Sequence, residues 1–271
     1  MLKSTFIHLP GVSVVKEKKL WAEGILTWED LLKSPIPFSD DHNWYHESLK
    51  AYQSGDAAYF GARLDNGDHW RVAASYPTEV MFLDIETTGF ANYSMVTIIG
   101  WSIGGEFKVL VNGRDDPREF LADLARAKAL VTFNGRAFDL RFLKALFSPE
   151  RFTHCHADLM YLCRKLGLSG GQKAIEKALN LDREVSGDGY EAAILWYKYH
   201  ERGKTLARQR ALRDLIVYNH ADVEGLKVIF DACLLFLAKE GRPVPTNLFA
   251  PLATSPDFTD LNNFPFSLEL M

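Results

Sequence analysis

The segment that decides the fold reads EVMFLDIETTG over residues 79–89. Its apolar run, bounded by Pro77 and Gly89, predicts a strand buried on both faces. Because side chains alternate along a strand, Asp84 and Glu86 point to the same side at its carboxyl end. Two such acids repel one another in a core, and a divalent cation compensates for their charge. The alternative is a solvent-facing strand end with two ordinary acids.

A second acidic segment reads VTFNGRAFD over residues 131–139. It repeats the same design, with a buried strand, a glycine turn and an acid in the first turns of a helix. Asp139 is the acid, and we expect it to join the two strand carboxylates. The alternative role of Asp139 is a favourable interaction with the positive end of its own helix.

A third segment, YNHAD over residues 218–222, lies inside a long helical pattern. Tyr218 and Asp222 are four residues apart, so they share one face of the helix. A phenol beside a carboxylate suits a water held on a metal ion, whereas a tyrosine packed at the core edge is the alternative. Together the three segments supply Asp, Glu, Asp and Asp, a set of hard oxygen ligands that fits Mg²⁺ or Mn²⁺ rather than zinc.

The rest of the chain predicts an α/β protein with a mixed β-sheet flanked by helices. Further strands are expected at 96–103, 107–111 and 129–133. Helices are expected after Asp116-Pro117, after Asn134-Gly135, from Asp158, from Ser169-Gly170, from Gly187-Asp188-Gly189 and over 206–240.

Four regions follow from these patterns: a small helical element at 1–36, a helical or irregular connector at 37–78, the catalytic domain at 79–240 and a proline-containing tail at 241–271. We expect the tail to pack on the body of the protein. Residues 9–13, LPGVS, and the helix after them resemble a helix-hairpin-helix element, whose backbone N–H groups bind phosphate. Ser13 stands where a second glycine is usual and the segment before Pro10 is short, so simple packing is the alternative.

Composition limits the class of protein that this chain can be. The 271 residues carry a net charge of -4, which argues against a protein that coats nucleic acid nonspecifically but allows a local basic patch. The chain has neither a convincing signal peptide nor a long apolar segment, so we expect a cytoplasmic protein. The cysteines, Cys155, Cys163 and Cys233, lack zinc-site spacing and are expected to be reduced core residues.

Five segments together resemble the DnaQ-like DEDD exonuclease superfamily and, within it, the YprB-like ribonuclease-H-like group. They are FLDIETTGF (82–90), TFNGRAFDLRFL (132–143), HADLMYLCRKL (156–166), GGQKAIEKALNL (170–181) and YNHADVEGL (218–226). The resemblance implies a ribonuclease-H-like fold and two bound metal ions. It implies that the ions are held by Asp84, Glu86, Asp139 and Asp222, and that Tyr218 orients the attacking water.

The spacing of the last segment indicates the subtype. In the histidine variant of the superfamily a histidine stands five residues before the last aspartate, and here that position is Val217. Tyr218 stands four residues before Asp222, which places the chain in the tyrosine (DEDDy) subtype. His220 is expected on another face of the helix, and Asp158 is expected to cap a helix.

The resemblance also implies the substrate, a 3′ end of DNA or RNA, with a single strand favoured. Asn134 and Phe138 resemble positions that line a terminal-nucleotide pocket, Phe90 offers a stacking ring, and Thr87 joins them as a candidate. Packing is the alternative for the pocket residues, and we favour it for Phe138. Basic residues before Tyr218 either guide the strand or form a solvated helix face; they are Lys198, Arg202, Lys204, Arg208, Arg210 and Arg213.

Three functions therefore stay open at this point. The first is a 3′-to-5′ exonuclease, the second a structure-specific endonuclease of the same fold, and the third a catalytically silent nucleic-acid-binding module. His154 and His156 could share a strand face, but no second cluster of ligand spacing supports a metal site there.

Overall fold

A five-stranded mixed sheet forms the centre of the protein. The computed structural model describes residues 1–35, 43–89, 91, 93–179, 189–202, 205–246 and 248–249. The strands are β1 (Val80–Thr87), β2 (Val96–Ile103), β3 (Glu106–Val111), β4 (Ala129–Thr132) and β5 (Cys155–Asp158), in the order β3-β2-β1-β4-β5. The pairs β1–β2 and β2–β3 are antiparallel, whereas β1–β4 and β4–β5 are parallel. The predicted mixed sheet is confirmed.

Helices flank the sheet as the sequence predicts. The N-terminal helices are α1 (Val14–Ala22), α2 (Trp28–Lys33), α3 (Asn43–Gln53), α4 (Ala57–Gly61) and α5 (Trp70–Ala73). The later helices are α6 (Arg118–Arg126), α7 (Asp139–Leu146), α8 (Leu159–Lys165), α9 (Gln172–Ala178), α10 (Gly189–Tyr199) and α11 (Thr205–Lys239). Single 3₁₀ turns occur at Leu2–Ser4, Asn66–Asp68 and Pro149–Arg151. In the described part of the chain, no helix is both long and apolar enough to cross a membrane.

Strand β1 is buried on both faces because its two sets of side chains serve different cores. Met81, Leu83 and Ile85 pack with β2 and with helices α6 and α7. Phe82 faces the other side, where it packs with α11, and Asp84 follows it in the alternation. The expected alternation therefore places the acids on the α11 face of the sheet.

The N-terminal helices join the sheet through one continuous apolar core, and a buried ion pair anchors them. Arg71 in α5 donates to both carboxylate oxygens of Glu17 in α1, at 3.0 and 2.8 Å, and neither side chain is exposed. The Glu17 carboxylate also accepts from the backbone N–H groups of Phe6 and Ile7. Arg71 and Glu17 thus hold together three separate parts of the N-terminal region.

The predicted hairpin at 9–13 ends at Ser13, whose side chain accepts from the Lys16 N–H and caps α1. Only the 3₁₀ turn Leu2–Ser4 precedes it, so the helix before the hairpin is a single turn. Binding of phosphate by this hairpin stays a prediction.

Part of the tail returns to the body of the protein. Asp231 in α11 accepts from the N–H groups of Leu248 and Phe249, and the Phe249 ring lies 4.8 Å from that of Phe82. Residues 250–271 of the predicted tail lie outside the described part of the chain.

The buried ion pair generates a stability prediction. Arg71→Met leaves the Glu17 carboxylate buried without its cation, so the free energy of unfolding should fall by about 3–5 kcal/mol. Urea unfolding followed by circular dichroism measures this change. Arg63→Met, at an exposed arginine, is the matched control and should change stability by less than about 0.5 kcal/mol. An equal effect of the two substitutions would contradict the anchoring role.

Candidate metal centre and active site

Three carboxylates converge where β1 ends beneath α11. Asp84, Glu86 and Asp222 each offer an oxygen, and these three oxygens all lie within 4.8 Å of one another. Glu86 and Asp222 are buried and Asp84 is half-buried. The register between β1 and β2 shifts between Glu86 and Thr87, so the strand is irregular directly beside the cluster.

Asp139 is the fourth acid, and it approaches the same region from the start of α7. Its side chain is only 3% exposed, and one oxygen accepts a 3.2 Å hydrogen bond from the backbone N–H of Ile85. Ile85 lies between Asp84 and Glu86, so this bond ties the beginning of α7 to the acidic end of β1. The Asp139 oxygens do not belong to the group of three oxygens, from Asp84, Glu86 and Asp222, that lie within 4.8 Å of one another.

Burial disfavours the ionised form of the carboxyl groups in this region. Burial, supported by the charge of Asp222, raises the pKa of Glu86 well above its usual range, against the opposing effects of Asn219 and Lys173. Burial likewise raises the pKa of Asp139 to about 7, and the charges of Asp158 and Asp222 add to the rise while backbone N–H groups oppose it. An all-oxygen set whose ionisation is opposed in this way fits a hard divalent cation such as Mg²⁺ or Mn²⁺.

Asn219 positions Asp84, and the sequence analysis did not identify this role. The Asn219 amide Nδ2 donates to Asp84 Oδ2 at 2.8 Å from one turn before Asp222. Gly100 in β2 pairs with Asp84, and a Cβ at Gly100 would lie 1.7 Å from the Asn219 Oδ1 atom. The missing side chain therefore lets α11 approach the sheet closely. The glycine within the apolar run of β2 was the sequence feature that could have indicated this close approach of α11.

Helix α9 supplies a second set of contacts that the sequence analysis missed. The Lys173 ammonium donates to the Tyr218 hydroxyl oxygen at 2.8 Å and lies 4.5 Å from the centre of that ring. The neighbouring Gln172 amide donates to the backbone carbonyl of Asp222 at 2.8 Å. The glycine-led segment 170–181 was quoted as a family motif, but nothing local in it indicates that it faces Tyr218.

A family model of the RNase H superfamily, RNase_H_2, matches residues 81–234. The chain belongs to the RNase H superfamily. The matched region contains all five strands and the four acids described above. Membership in this superfamily indicates a nuclease, a hydrolase that acts on nucleic acid. The superfamily typically uses divalent metal ions, and the acidic cluster of Asp84, Glu86 and Asp222 is a suitable set of ligands for them. No curated protein matches the chain.

Three of the other predicted residues, Thr87, Asn134 and Phe138, lie in the described part of this RNase-H-like domain. Thr87 is buried and its hydroxyl donates to the Gly89 carbonyl at 2.6 Å. Asn134 adopts a positive φ of 60° in the turn after β4. The Phe138 ring packs 5.0 Å from that of Phe142, in line with the packing role that we favour. Phe90 lies outside the described residues.

Asp158 caps α8, as predicted, by accepting from the Met160 N–H. It also accepts from the N–H groups of Asn134 and Arg136, so one buried carboxylate holds the turn after β4. The His220 ring packs perpendicular to that of Phe107, with 4.5 Å between the ring centres.

Of the predicted basic residues, Lys198 lies on α10 and Arg208, Arg210 and Arg213 lie on α11. Arg208 donates from Nε to the Tyr199 carbonyl at 2.6 Å, which joins the two helices. Arg208 is ten residues before Tyr218, or about 15 Å along the helix, so it is remote from the acids. Lys198 and Arg210 line an open groove between the same helices, and Lys204 lies outside the described residues.

Two other predictions concern cysteine and histidine. All three cysteines are buried and free, as expected. His154 donates to the Leu124 carbonyl, whereas His156 shares a hydrogen bond with the Thr132 hydroxyl. The two imidazoles therefore form hydrogen bonds with different elements of the fold. Among the described residues, neither belongs to a cluster of groups that could hold a metal ion.

A basic and aromatic patch, which the sequence analysis did not identify, lies beyond the turn after β4. Tyr161 in α8 is 42% exposed, and the guanidinium carbons of Arg136 and Arg164 lie 5.8 and 6.0 Å from its ring centre. Arg136 follows β4 and Tyr161 follows β5, and both strands run parallel to β1. The patch therefore stands at the sheet edge that carries Asp84 and Glu86.

The raised pKa of Asp139 predicts how stability depends on pH. Because this pKa of about 7 lies above the unfolded value near 4, the carboxyl contributes full stability at pH 4 and loses it as the pH rises through 7. In metal-free protein, the free energy of unfolding of Asp139→Asn relative to wild type should therefore rise between pH 5 and pH 8, by about 2–3 kcal/mol. Urea unfolding in chelator measures it. The exposed Asp214→Asn is the control, and a pH-independent difference for Asp139→Asn would contradict the assignment.

The close approach of Asn219 to Gly100 generates a second prediction. Gly100→Ala should displace Asn219 and cost about 1–3 kcal/mol of stability by overpacking, and it should weaken Mn²⁺ binding. The double variant Gly100→Ala/Asn219→Ala restores space but not the amide donor, so stability should recover while Mn²⁺ affinity stays low. Thermal unfolding and titration calorimetry measure the two quantities. Recovery of Mn²⁺ affinity in the double variant would refute the role of Asn219.

Proposed function

We propose that this chain is a metal-dependent 3′-to-5′ exonuclease of the tyrosine (DEDDy) subtype, in the YprB-like group of DnaQ-like enzymes. Its proposed substrate is the single-stranded 3′ end of DNA or RNA. The observation that carries the proposal is the convergence of the Asp84, Glu86 and Asp222 oxygens beneath α11, with Tyr218 one helical turn away. Asp139 completes the acid set from α7.

The proposed metal ligands are Asp84, Glu86, Asp139 and Asp222, which would hold two ions of Mg²⁺ or Mn²⁺. Bound ions of this kind supply Lewis-acid charge to phosphodiester hydrolysis. Two of these ligands are oriented by hydrogen bonds within the protein. Asn219 donates to one oxygen of Asp84, and the Ile85 N–H donates to one oxygen of Asp139. These two bonds set the orientation of carboxylates that otherwise repel each other.

Tyr218 is the proposed group that orients the attacking water. It is 6% exposed and lies on the same helix as Asp222, four residues earlier, where the tyrosine subtype has its phenol. Val217 occupies the position of the histidine in the alternative subtype. His220 stands two residues before Asp222 and packs against Phe107, so it does not occupy the position of that histidine.

The substrate strand is proposed to run along the sheet edge from the acids toward Tyr161. Adjacent strands are about 4.8 Å apart, so the step from β1 to β5 covers about 10 Å, or one to two nucleotides. Exposed aromatic rings with neighbouring arginines bind single strands by stacking and charge. Thr87, Phe90, Asn134 and Phe138 remain the proposed lining of the terminal-nucleotide pocket. Arg208 and its basic neighbours remain a second proposed contact for the strand.

A cleavage assay tests the proposed activity. Time courses with 5′-labelled single- and double-stranded DNA and RNA plus Mn²⁺ should show a ladder that shortens from the 3′ end. Asp84→Ala should lower the rate at least about 100-fold, because it removes a ligand of the catalytic charge. Asp116→Ala, at an exposed acid that pairs with Arg118, is the control. Undiminished cleavage by Asp84→Ala would show that the site is wrongly assigned.

The same assay distinguishes the alternative functions. Cleavage of closed circular DNA would assign a structure-specific endonuclease of this fold. Absence of cleavage together with absence of metal binding by calorimetry would assign a silent binding module.

The proposed strand path has its own test. Tyr161→Ala removes the stacking ring and should raise KM about 5- to 100-fold while kcat stays within about 2-fold, since stacking contributes about 1–3 kcal/mol per base. Steady-state kinetics on a short single strand measures both constants. Tyr197→Ala, an exposed tyrosine on α10, is the matched control. A rise in KM for Tyr197→Ala alone would place the strand on the exposed face of α10 instead and would contradict the proposed path.

A further inference from the structure

Lys173 makes the most direct contact between α9 and the proposed catalytic tyrosine. Its Nζ atom lies 2.8 Å from the Tyr218 hydroxyl oxygen and 4.5 Å from the centre of the ring. Lys173 is half-buried and Tyr218 is 6% exposed, so the contact is largely shielded from water. Charge-assisted hydrogen bonds in such places are stronger than exposed ones.

The chemistry of the two groups fixes the direction of this hydrogen bond. A lysine ammonium has three donors and no acceptor, so the phenol oxygen must accept. The phenol then directs its own hydrogen away from Lys173. The hydroxyl of Tyr218 is therefore oriented as a donor on its remaining side.

Side chains of α9 hold the helix in place for this contact. Gln172, next to Lys173, donates to the Asp222 carbonyl, and Glu176 accepts from Gln172 one turn later. Gly225 in α11 leaves the necessary room, because a Cβ there would lie 2.0 Å from the Glu176 Oε1 atom. The Gln172 bond to Asp222 and the close approach of Glu176 to Gly225 thus hold α9 against the stretch of α11 that carries Tyr218 and Asp222.

We propose that Lys173 is a positioning residue for the hydrolysis proposed above, and that it holds the Tyr218 hydroxyl as a hydrogen-bond donor toward the reacting oxygens. In this role Tyr218 orients the attacking water by donating a hydrogen bond to its oxygen, and it does not accept the proton of that water. The inference rests on the proposed nuclease function. It adds the residue through which α9 contributes to catalysis.

The placement of charge agrees with this role. Lys173 lies close enough to Glu86 to favour the ionised carboxylate, in a region where the other neighbours are acidic. One cation therefore faces the carboxylate cluster and the phenol together.

A double-mutant cycle in single-strand cleavage tests the inference. Lys173→Met should lower kcat about 10- to 100-fold with KM within about 2-fold, as expected for loss of a hydrogen bond to a charged group. Lys173→Arg keeps a donor and should retain more activity than Lys173→Met. In the Tyr218→Phe background, Lys173→Met should lower kcat no further, because its effect passes through the hydroxyl. Lys177→Met, an exposed lysine one turn later in α9, is the matched control.

A cycle on stability supplies a readout that is independent of activity. The urea unfolding free energies of wild type, the two single variants and the double variant should show a favourable coupling between Lys173 and Tyr218. Additive losses of stability would show that the hydrogen bond contributes nothing in solution, and this would overturn the proposal.

The outcomes separate this inference from the proposed function. An active wild type in which Lys173→Met lowers kcat equally in the Tyr218→Phe background overturns the positioning role and leaves the nuclease function intact. A large rise in KM with unchanged kcat also overturns it, because it indicates substrate binding by Lys173. A wild type without any metal-dependent cleavage overturns the proposed function, and the positioning role with it.

Discussion

Repulsion among buried carboxylates is the constraint on which the rest of the structure depends. Asp84, Glu86 and Asp222 bring three oxygens within 4.8 Å of one another, and Asp139 is almost fully buried nearby. Burial raises the pKa of both Glu86 and Asp139, which shows how strongly the fold opposes their ionisation. A protein retains such an arrangement at a cost in stability, and functional sites are where this cost is commonly found.

The surrounding architecture holds these acids in place by a few specific contacts. Gly100 has no side chain, so α11 lies close enough to β1 for Asn219 to reach Asp84. The Ile85 N–H joins α7 to the same strand, and Gln172 joins α9 to the Asp222 backbone. The Asp84 and Asp139 carboxylates are therefore oriented from different elements of the fold, and the backbone at Asp222 is held from a third. The RNase-H-like sheet gives the common edge at which these elements meet.

Local patterns were sufficient to predict most of the elements. The alternation in 79–89 predicts a doubly buried strand with both acids on one side, and the structure has that arrangement. The spacing of Tyr218 and Asp222 likewise predicts one helical face. The long helix expected over 206–240 is α11, which begins and ends within one residue of those bounds. These features depend on period and turn chemistry, which a single sequence records directly.

Features that depend on packing between distant segments were not predictable in the same way. Lys173 and Tyr218 are 45 residues apart, and their contact depends on how α9 lies against α11. The role of Asn219 likewise depends on a glycine in another strand. The sequence offered strand β5 only as a possibility, through the alternation of His154 and His156. The patch around Tyr161 combines residues that follow two different strands.

The central claim is that the acidic cluster is a metal centre, and Mn²⁺ binding measured by electron paramagnetic resonance tests it most directly. Titration of the metal-free protein near pH 8 should show saturable binding of two ions per chain, because ionised Glu86 and Asp139 are then available as ligands. Titration at pH 5 should show much weaker binding. Absence of saturable Mn²⁺ binding at pH 8 would contradict the account.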